Sequence, residues 1–333
     1  MNLAFSIVIA IYNRSEELRE LLTSLTLQTD QNFEVIVADD ASSENLYPVI
    51  QDFEKKIKLK YVKKERNSGC GATFNFGAEF ASGNYLISLD SDCIIPVDFI
   101  DNLRQALTQN YTDAYGGADA AHPDFNFWQK AVSYAMTSFL TTGGLRGKQK
   151  SVNKFQPRGY NMGVSKKVFE ILGGFSKMRA QDIDFVFRLW EQGFSTQFIP
   201  KCTVFHKRRT SFQHFAKQMY GFGVMRPILD QMHPKYQSLT FLFPLFFSLS
   251  FLVSIFLKFS TLILLKIPFL LFWIYTWMIL IDATLKNKNI IVGLLAVFAT
   301  YLQFFAYGWG YLKSYFWIRL LKKDPVIVFP HFF

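Results

Sequence analysis

Tyr85-Leu86-Ile87-Ser88-Leu89-Asp90-Ser91-Asp92 is an apolar run that stops abruptly in two carboxylates one residue apart. Alternate residues of a strand share a face, so Asp90 and Asp92 are expected to point the same way at the strand's carboxyl end. Open α/β sheets bind ligands at that edge. Neighbouring carboxylates repel one another unless a cation lies between them, and hard divalent ions such as Mg²⁺ or Mn²⁺ take oxygen ligands together with substrate phosphates. The pair therefore suggests a site for a metal and a diphosphate. Aspartates also follow strands as helix caps and turn formers. Here the next helix is expected to begin at Pro96 and run through Val97 to Leu107, beyond both carboxylates.

Upstream, Phe5 to Ile11 and Phe33 to Ala38 are continuous β-branched and apolar runs, typical of strands buried on both faces of a parallel sheet. Between them Ser15 to Gln28 carries leucines at helical spacing. This β-α-β order makes the sheet parallel and its crossover right-handed. Ile11-Tyr12-Asn13 and Asp39-Asp40 then end adjacent strands on the edge that carries Asp90. An aromatic ring for a base and a carboxylate for a base or ribose donor fit nucleotide recognition, and ordinary strand-end turns fit as well. Lys58 to Lys63 makes another short strand, and Asn67-Ser68-Gly69-Cys70-Gly71 leads into a helix through Phe80. That turn can present backbone N–H groups to a phosphate, although it matches neither the Rossmann nor the P-loop fingerprint.

In order and spacing, Ile7 to Asn13, Val37 to Ser42, Asn67 to Gly77 and Leu89 to Asp92 resemble the successive motifs of family 2 glycosyltransferases, with their GT-A fold. Gly159 to Val164 with Gly173-Gly174-Phe175, Asp182-Ile183-Asp184 through Arg188 to Gly193, and Val204-Phe205-His206 are similar to that family's acceptor half. The resemblance covers about residues 4 to 226. It implies that Ala10, Tyr12 and Asp40 hold the nucleoside, that Asp90 and Asp92 bind the diphosphate and a Mg²⁺ or Mn²⁺ ion, and that Asp182 is the catalytic base. His206 resembles a histidine that reaches the metal or diphosphate in some members. Inverting sugar transfer needs one base for the acceptor hydroxyl and a cation for the departing diphosphate. Two residues depart from the pattern. Gln181 stands where the family usually has Glu before the base, and Phe74 stands where the phosphate loop usually has a basic residue.

The rest of the 333-residue chain points to a membrane. Phe241 to Leu257, Leu262 to Ile281 and Ile290 to Leu312 are apolar stretches, each approaching the ~20 residues that cross a bilayer. The expected organisation is a nucleotide-sugar half at 1–115, an acceptor half at 116–236 and a membrane region at 237–333. The expected fold class is α/β: a Rossmann-like, mainly parallel mixed sheet followed by transmembrane helices. Phe212, Phe215, Met219 and Phe222 recur at helical spacing between Ser211 and Arg226, which suits a helix at the membrane interface near 211–227. Gln218, Tyr220 to Gly223 and Arg226 resemble the acceptor-side segment of membrane exopolysaccharide transferases of the succinoglycan type, as does Tyr307 to Tyr311 their terminal motif. Phe125 to Leu140 reads as one amphipathic helix, and the Gly- and Lys-rich Thr141 to Lys154 as a loop over the acceptor site or a surface linker.

The formal charge is +10, and Lys201, Lys207, Arg208, Arg209, Lys217, Arg226 and Lys235 cluster beside the apolar stretches with only Asp230 among them. This suggests contact with anionic lipid head groups, and no nucleic-acid motif accompanies it. Cys70, Cys93 and Cys202 make no paired or zinc spacing and are expected to pack in a reducing compartment. Met1 to Ala10 lacks a basic leader and reads as a strand, which leaves the catalytic part in the cytoplasm. Charge leaves the topology open: three full crossings would put Lys313, Arg319, Lys322 and Lys323 outside, against the positive-inside tendency, and the alternative is an oblique or re-entrant third segment.

The expected function is metal-dependent, inverting transfer of a sugar from a UDP-, GDP- or dTDP-sugar to a lipid-linked, polyprenyl-type acceptor at the cytoplasmic face of the inner membrane. A polyprenyl-phosphate acceptor would make the protein a lipid-phosphate sugar synthase. A rival of another class is a membrane-anchored nucleotide-sugar-binding protein without turnover, which Gln181 and Phe74 favour.

Overall fold

The computed structural model describes residues 3–120, 122, 125–143, 155–207 and 211–333. The chain forms two compact units, Met1–His122 with Gly147–Lys207, and Pro123–Arg146 with Arg208–Phe333. The segment read as 116–236 therefore contributes to both. Arg208, Arg209 and residues 144–154 of the Gly- and Lys-rich segment lie outside the described residues.

The first unit opens with β1 (Phe5–Ile11), α1 (Ser15–Thr26), β2 (Phe33–Asp39), α2 (Tyr47–Phe53), β3 (Leu59–Lys63), α3 (Cys70–Glu79), β4 (Tyr85–Leu89), β5 (Cys93–Ile94), α4 (Phe99–Gln109) and β6 (Ala114–Ala120). Two helices of the second unit follow, α5 (Phe127–Thr137) and α6 (Phe139–Thr142), before the first unit closes with β7 (Asn161–Ser165), α7 (Lys166–Ile171), α8 (Gln181–Glu191) and β8 (Thr196–His206). The strands make one mixed sheet in the order β3-β2-β1-β4-β7-β6-β8-β5. β3, β2, β1 and β4 are parallel, with Ile11 opposite Asp39 and Val8 opposite Ser88. β7 runs antiparallel to both β4 and β6.

The continuous apolar runs are explained by burial of both sheet faces. Ile7, Ile9 and Ile11 enter one core with Leu18, Leu21, Leu22 and Leu25 of α1, while Val8 and Ile36 enter the opposite core with Phe74, Phe169, Phe175 and Phe185. Each such side chain contributes about 1.5–3 kcal/mol by leaving water.

Some helix boundaries differ from the sequence expectation. α4 starts at Phe99 rather than Pro96. The expected single helix Phe125 to Leu140 breaks at Ser138, whose extended backbone (φ −67°, ψ 144°) lets its hydroxyl accept from the Leu140 N–H and cap α6.

The second unit continues with α9 (Phe212–Met232), α10 (Phe243–Leu257), α11 (Ile267–Asn287) and α12 (Ile290–Ser314). Among the described residues, three helical segments, Leu239–Leu257, Ile263–Asn287 and Ile290–Leu320, are long and apolar enough to cross a membrane. α9 lies directly against α12: a Cβ placed on Gly223 would stand 2.1 Å from the Tyr307 carbonyl oxygen, and one on Gly310 would stand 2.3 Å from that of Tyr220. Small residues let helix backbones approach this closely. α5 joins the same bundle through the Gln303 amide, which donates to the Ala135 carbonyl at 3.1 Å, and through the Tyr134 hydroxyl, which donates to Asp282 at 2.6 Å.

Two of the basic residues expected to meet lipid are paired within their own unit. Arg226, 5 % exposed, binds Asp230 at 2.7 Å. Lys207 pairs with Glu20.

Candidate active site

The parallel strands β1, β2 and β4 deliver Tyr12, Asp40 and Asp90 to one sheet edge, because each residue directly follows its strand. Asp90 and Asp92 are not on the strand, however. β4 ends at Leu89, and Asp90-Ser91-Asp92 make a turn closed by the Cys93 N–H donating to the Asp90 carbonyl at 3.0 Å. The turn gives the two carboxylates different surroundings: the Asp90 side chain is 41 % exposed and that of Asp92 is 9 % exposed. What carries the chain into place is the pairing of the short β5 with the end of β8. That pairing sets His206 opposite Cys93 and leads the Lys207 N–H to the Asp92 carbonyl at 2.9 Å.

His206 Nε2 lies 3.1 Å from Asp92 Oδ1 and 3.9 Å from Asp90 Oδ2. Its ring stacks on Tyr160, with centroids 4.9 Å apart. Asp92 Oδ2 also accepts from Arg14 Nη1 at 2.7 Å. Asp92, Cys93 and His206 each offer a ligand atom within 4.8 Å of the others. The Cys93 thiol donates to the Tyr160 carbonyl at 3.6 Å, and a thiol is a poor ligand for a hard divalent cation. That leaves two carboxylates and an imidazole, a donor set that suits Mg²⁺ or Mn²⁺.

Asp182 sits in the first turn of α8, after Ala180 at φ 64°, a left-handed conformation that is strained for a residue with a side chain. Its Oδ2 accepts from the Gly159 N–H at 3.1 Å, and the Gly159 carbonyl accepts from Ser88 Oγ at 2.7 Å. A hydrogen-bonded path therefore ties Asp182 to β4, two residues before Asp90. Cys70 opens α3 and keeps exposed surface as a residue; crowding around its sulfur, then the charges of Asp90, Asp182, Asp40 and Asp92, push its thiol above the ordinary range.

Asp40 is 4 % exposed and is engaged from within the chain. Its Oδ1 accepts from the Ser68 N–H at 2.9 Å and from Lys64 Nζ at 3.2 Å, and its Oδ2 accepts from the Gly69 N–H at 2.8 Å. It therefore pins the glycine-rich turn that opens α3. Tyr12 is 47 % exposed, and Ala10 is half-buried on β1. Asn13, at φ 51°, donates its N–H to Ser42 Oγ and accepts from the Glu44 N–H, joining the ends of β1 and β2.

Phe74 is 2 % exposed, edge-on to Phe169 and Phe175 at 5.5 and 5.0 Å. Its departure from the family pattern is a core substitution. The cations of this edge are instead Arg14 and Lys64, which the sequence reading passed over. Both were within its reach: Arg14 follows Tyr12-Asn13, and Lys64 follows the parallel strand β3.

A family model described as glycosyl transferase family 2 matches residues 6–172. An uncharacterized glycosyltransferase of Haemophilus influenzae is 29 % identical over 222 residues, covering 62 % of this chain and 70 % of that protein. Escherichia coli chondroitin synthase is 25 % identical over 271 residues, which are 69 % of this chain but only 38 % of the synthase. Among solved structures, a mannosyltransferase from Pyrobaculum calidifontis, in complex with GDP-Man and Mn²⁺, aligns with a TM-score of 0.65 at 14 % identity, over 91 % of this chain and 88 % of that one. At that identity the likeness concerns the fold.

Proposed function

The chain belongs to glycosyl transferase family 2, and from that premise we propose that it moves a sugar from a nucleotide-sugar donor to a lipid-linked, polyprenyl-type acceptor, with inversion at the anomeric carbon, at the cytoplasmic face of the inner membrane. The product feeds a surface polysaccharide or glycoconjugate. The observation that supports the reading is the hydrogen-bonded path from Asp182 through Gly159 to Ser88, two residues before Asp90, beside the Asp92–His206 contact. Three helices apolar enough to cross a membrane support the lipid acceptor.

Asp182 takes the proton of the acceptor hydroxyl as that oxygen attacks the anomeric carbon. The bond from that carbon to the donor's phosphate oxygen breaks, and the nucleoside diphosphate leaves with the electron pair. The Gly159 and Ile183 N–H groups hold the Asp182 carboxylate in one orientation through both oxygens. Asp90, Asp92 and His206 would hold a Mg²⁺ or Mn²⁺ ion that offsets charge on the departing diphosphate. Arg14 and Lys64 add positive charge at the same edge in place of the basic residue that Phe74 replaces. Tyr12 and Ala10 face the nucleoside. Asp40 acts there chiefly by shaping the turn at Ser68 and Gly69.

The test uses full-length protein in lipid, with Mg²⁺ or Mn²⁺, a panel of nucleotide sugars and a membrane lipid extract as acceptor. Release of a nucleoside diphosphate from one donor is expected, lost in Asp182→Asn with donor binding kept, and lost in Asp92→Asn together with metal dependence. Unchanged release in Asp182→Asn overturns the base assignment. Tight nucleotide binding by the wild type without turnover of any donor would favour the binding-protein reading.

A further inference from the structure

We propose that the second unit carries a separate site for the phosphate of an anionic membrane lipid, in a cleft of about 300 Å³ formed where α9, α10 and α12 meet. The inference rests on membrane association of this unit and is independent of the transfer reaction.

The cleft shares no residue with the carboxylate site of the first unit. Its lining combines polar groups, Asp230, Gln237, Tyr311, Tyr315 and Arg319, with apolar ones, Pro227, Leu242, Leu245 and Leu312. Its place along the chain fixes its depth. The first candidate span begins at Leu239 and the third ends at Leu320, so the cleft gathers the start of one span and the end of another. Three full crossings would leave these two ends on opposite faces, so their meeting in one cleft favours the oblique or re-entrant alternative, in which both ends share one membrane–water boundary, where lipid phosphates lie.

The charges favour an anion. Arg226 is satisfied from three directions: Asp230 at 2.7 Å, the Tyr236 carbonyl at 2.8 Å, and the face of Phe241 with its centroid 3.6 Å away. That pair is close to neutral as a unit. Arg319 is exposed at the cleft, and among the described residues no carboxylate lies within ion-pair distance of it. Its guanidinium can therefore take a phosphate by a two-pronged hydrogen bond, with the Tyr311 and Tyr315 hydroxyls as further donors. Burial raises the Asp230 carboxyl above its ordinary range against the pull of Arg226 and Arg319. The apolar lining and the exposed Leu249, Leu252 and Val253 farther along α10 continue the cleft into a surface for acyl chains.

The same phosphate chemistry is offered by a lipid head group and by soluble phosphate, and the experiment separates them. Full-length protein is placed in phosphatidylcholine nanodiscs with increasing phosphatidylglycerol, and lipids retained after release are counted by native mass spectrometry. The wild type is expected to retain one phosphatidylglycerol per chain in preference to phosphatidylcholine. Arg319→Gln should weaken that retention about tenfold, the loss of one charge-assisted contact, and Arg319→Lys should restore most of it. Equal melting temperatures of the three proteins guard against misfolding. Unchanged retention in Arg319→Gln, equal retention of phosphatidylcholine, or full displacement of the lipid by millimolar inorganic phosphate each overturns the proposal.

Discussion

Replacing Asp40 by Asn separates a residue that touches the nucleoside from one that holds the turn beside it. The native carboxylate accepts four hydrogen bonds, from Lys64 Nζ, the Ser68 hydroxyl and the Ser68 and Gly69 N–H groups, at 4 % exposure. Asparagine keeps one acceptor oxygen and turns an NH₂ group toward the other donor, so a backbone N–H in a nearly dry site loses its partner. That costs about 1–3 kcal/mol. Lys64, whose side chain is 14 % exposed, loses its counter-charge as well, and the partly buried pair adds about 1 kcal/mol. The sum, roughly 2–4 kcal/mol, corresponds to a fall in melting temperature on the order of 5–12 °C for a unit of this size. Thermal melts of the full-length variant are read beside nucleotide affinity by calorimetry, and both should fall. A cycle with Lys64→Met should show coupling of about 1 kcal/mol or more. An Asp40→Asn protein that melts within about 1 °C of the wild type refutes the reasoning, because the turn would then hold without the carboxylate.

Three other perturbations test the same framework. The Glu34 carboxyl lies at about 2 instead of 4.5, because hydrogen bonds from Ser6 and Ser82, with Lys58, together outweigh the upward push of its burial. A depressed carboxyl stabilises above its unfolded value, so the contribution is full above pH 4.5 and is lost as pH falls from there toward 2. On the order of 2 kcal/mol is at stake after allowance for its solvent-facing edge, and acid titration of stability in Glu34→Gln should lack that slope. In Arg188→Ala, the 2 % exposed Asp184 loses the guanidinium at 3.0 Å and the Leu172 and Gly174 carbonyls lose a donor each, for about 3 kcal/mol; a lower yield of folded protein is expected by size exclusion, and Lys at this position should rescue poorly because it lacks the fork. A Cβ on Gly77 would stand 2.7 Å from Val8 and 2.9 Å from Ala38, so Gly77→Ala should lower the melting temperature: overpacking of about 1–3 kcal/mol exceeds the ~1 kcal/mol gain in helix propensity.

The strands of the nucleotide half were legible because burial on both faces leaves a continuous apolar signature, which is why β1 was bounded correctly as Phe5–Ile11. The two-residue β5 was not, since Cys93-Ile94 has no periodicity to show and exists only by pairing with β8. Its absence from the sequence reading is what placed Asp90 and Asp92 on a strand rather than in the turn before β5. The end of α9 lies beyond the expected 211–227, across Pro227. That residue argues for a helix end at Arg226, yet α9 runs on to Met232 with Ile228 and Leu229 buried, so packing overrides the lost hydrogen bond. The place of Arg14 beside Tyr12-Asn13 was legible, but its partner Asp92, 2.7 Å away and 78 positions along the chain, is visible only in the fold.

Hydropathy alone also hides the role of α9. Lys217, Arg226 and Asp230 dilute its apolar character, whereas Ile290–Leu320 stands out at once. Packing nevertheless groups the two helices, with Gly223 and Gly310 admitting each other's backbone and Phe215 and Met219 buried against Ala299 in one core with α5. A charged helix is tolerated in such a bundle when its charges close on themselves. Arg226 and Asp230, one turn apart, do so at 2.7 Å. The alternation of charge and glycine along α9 is therefore the pattern of a helix that seats apolar neighbours on one side while carrying a neutralised ion pair within its own unit. Unpaired charge is then left at the margin of the bundle, at Arg319, where it can meet a ligand instead of a buried wall.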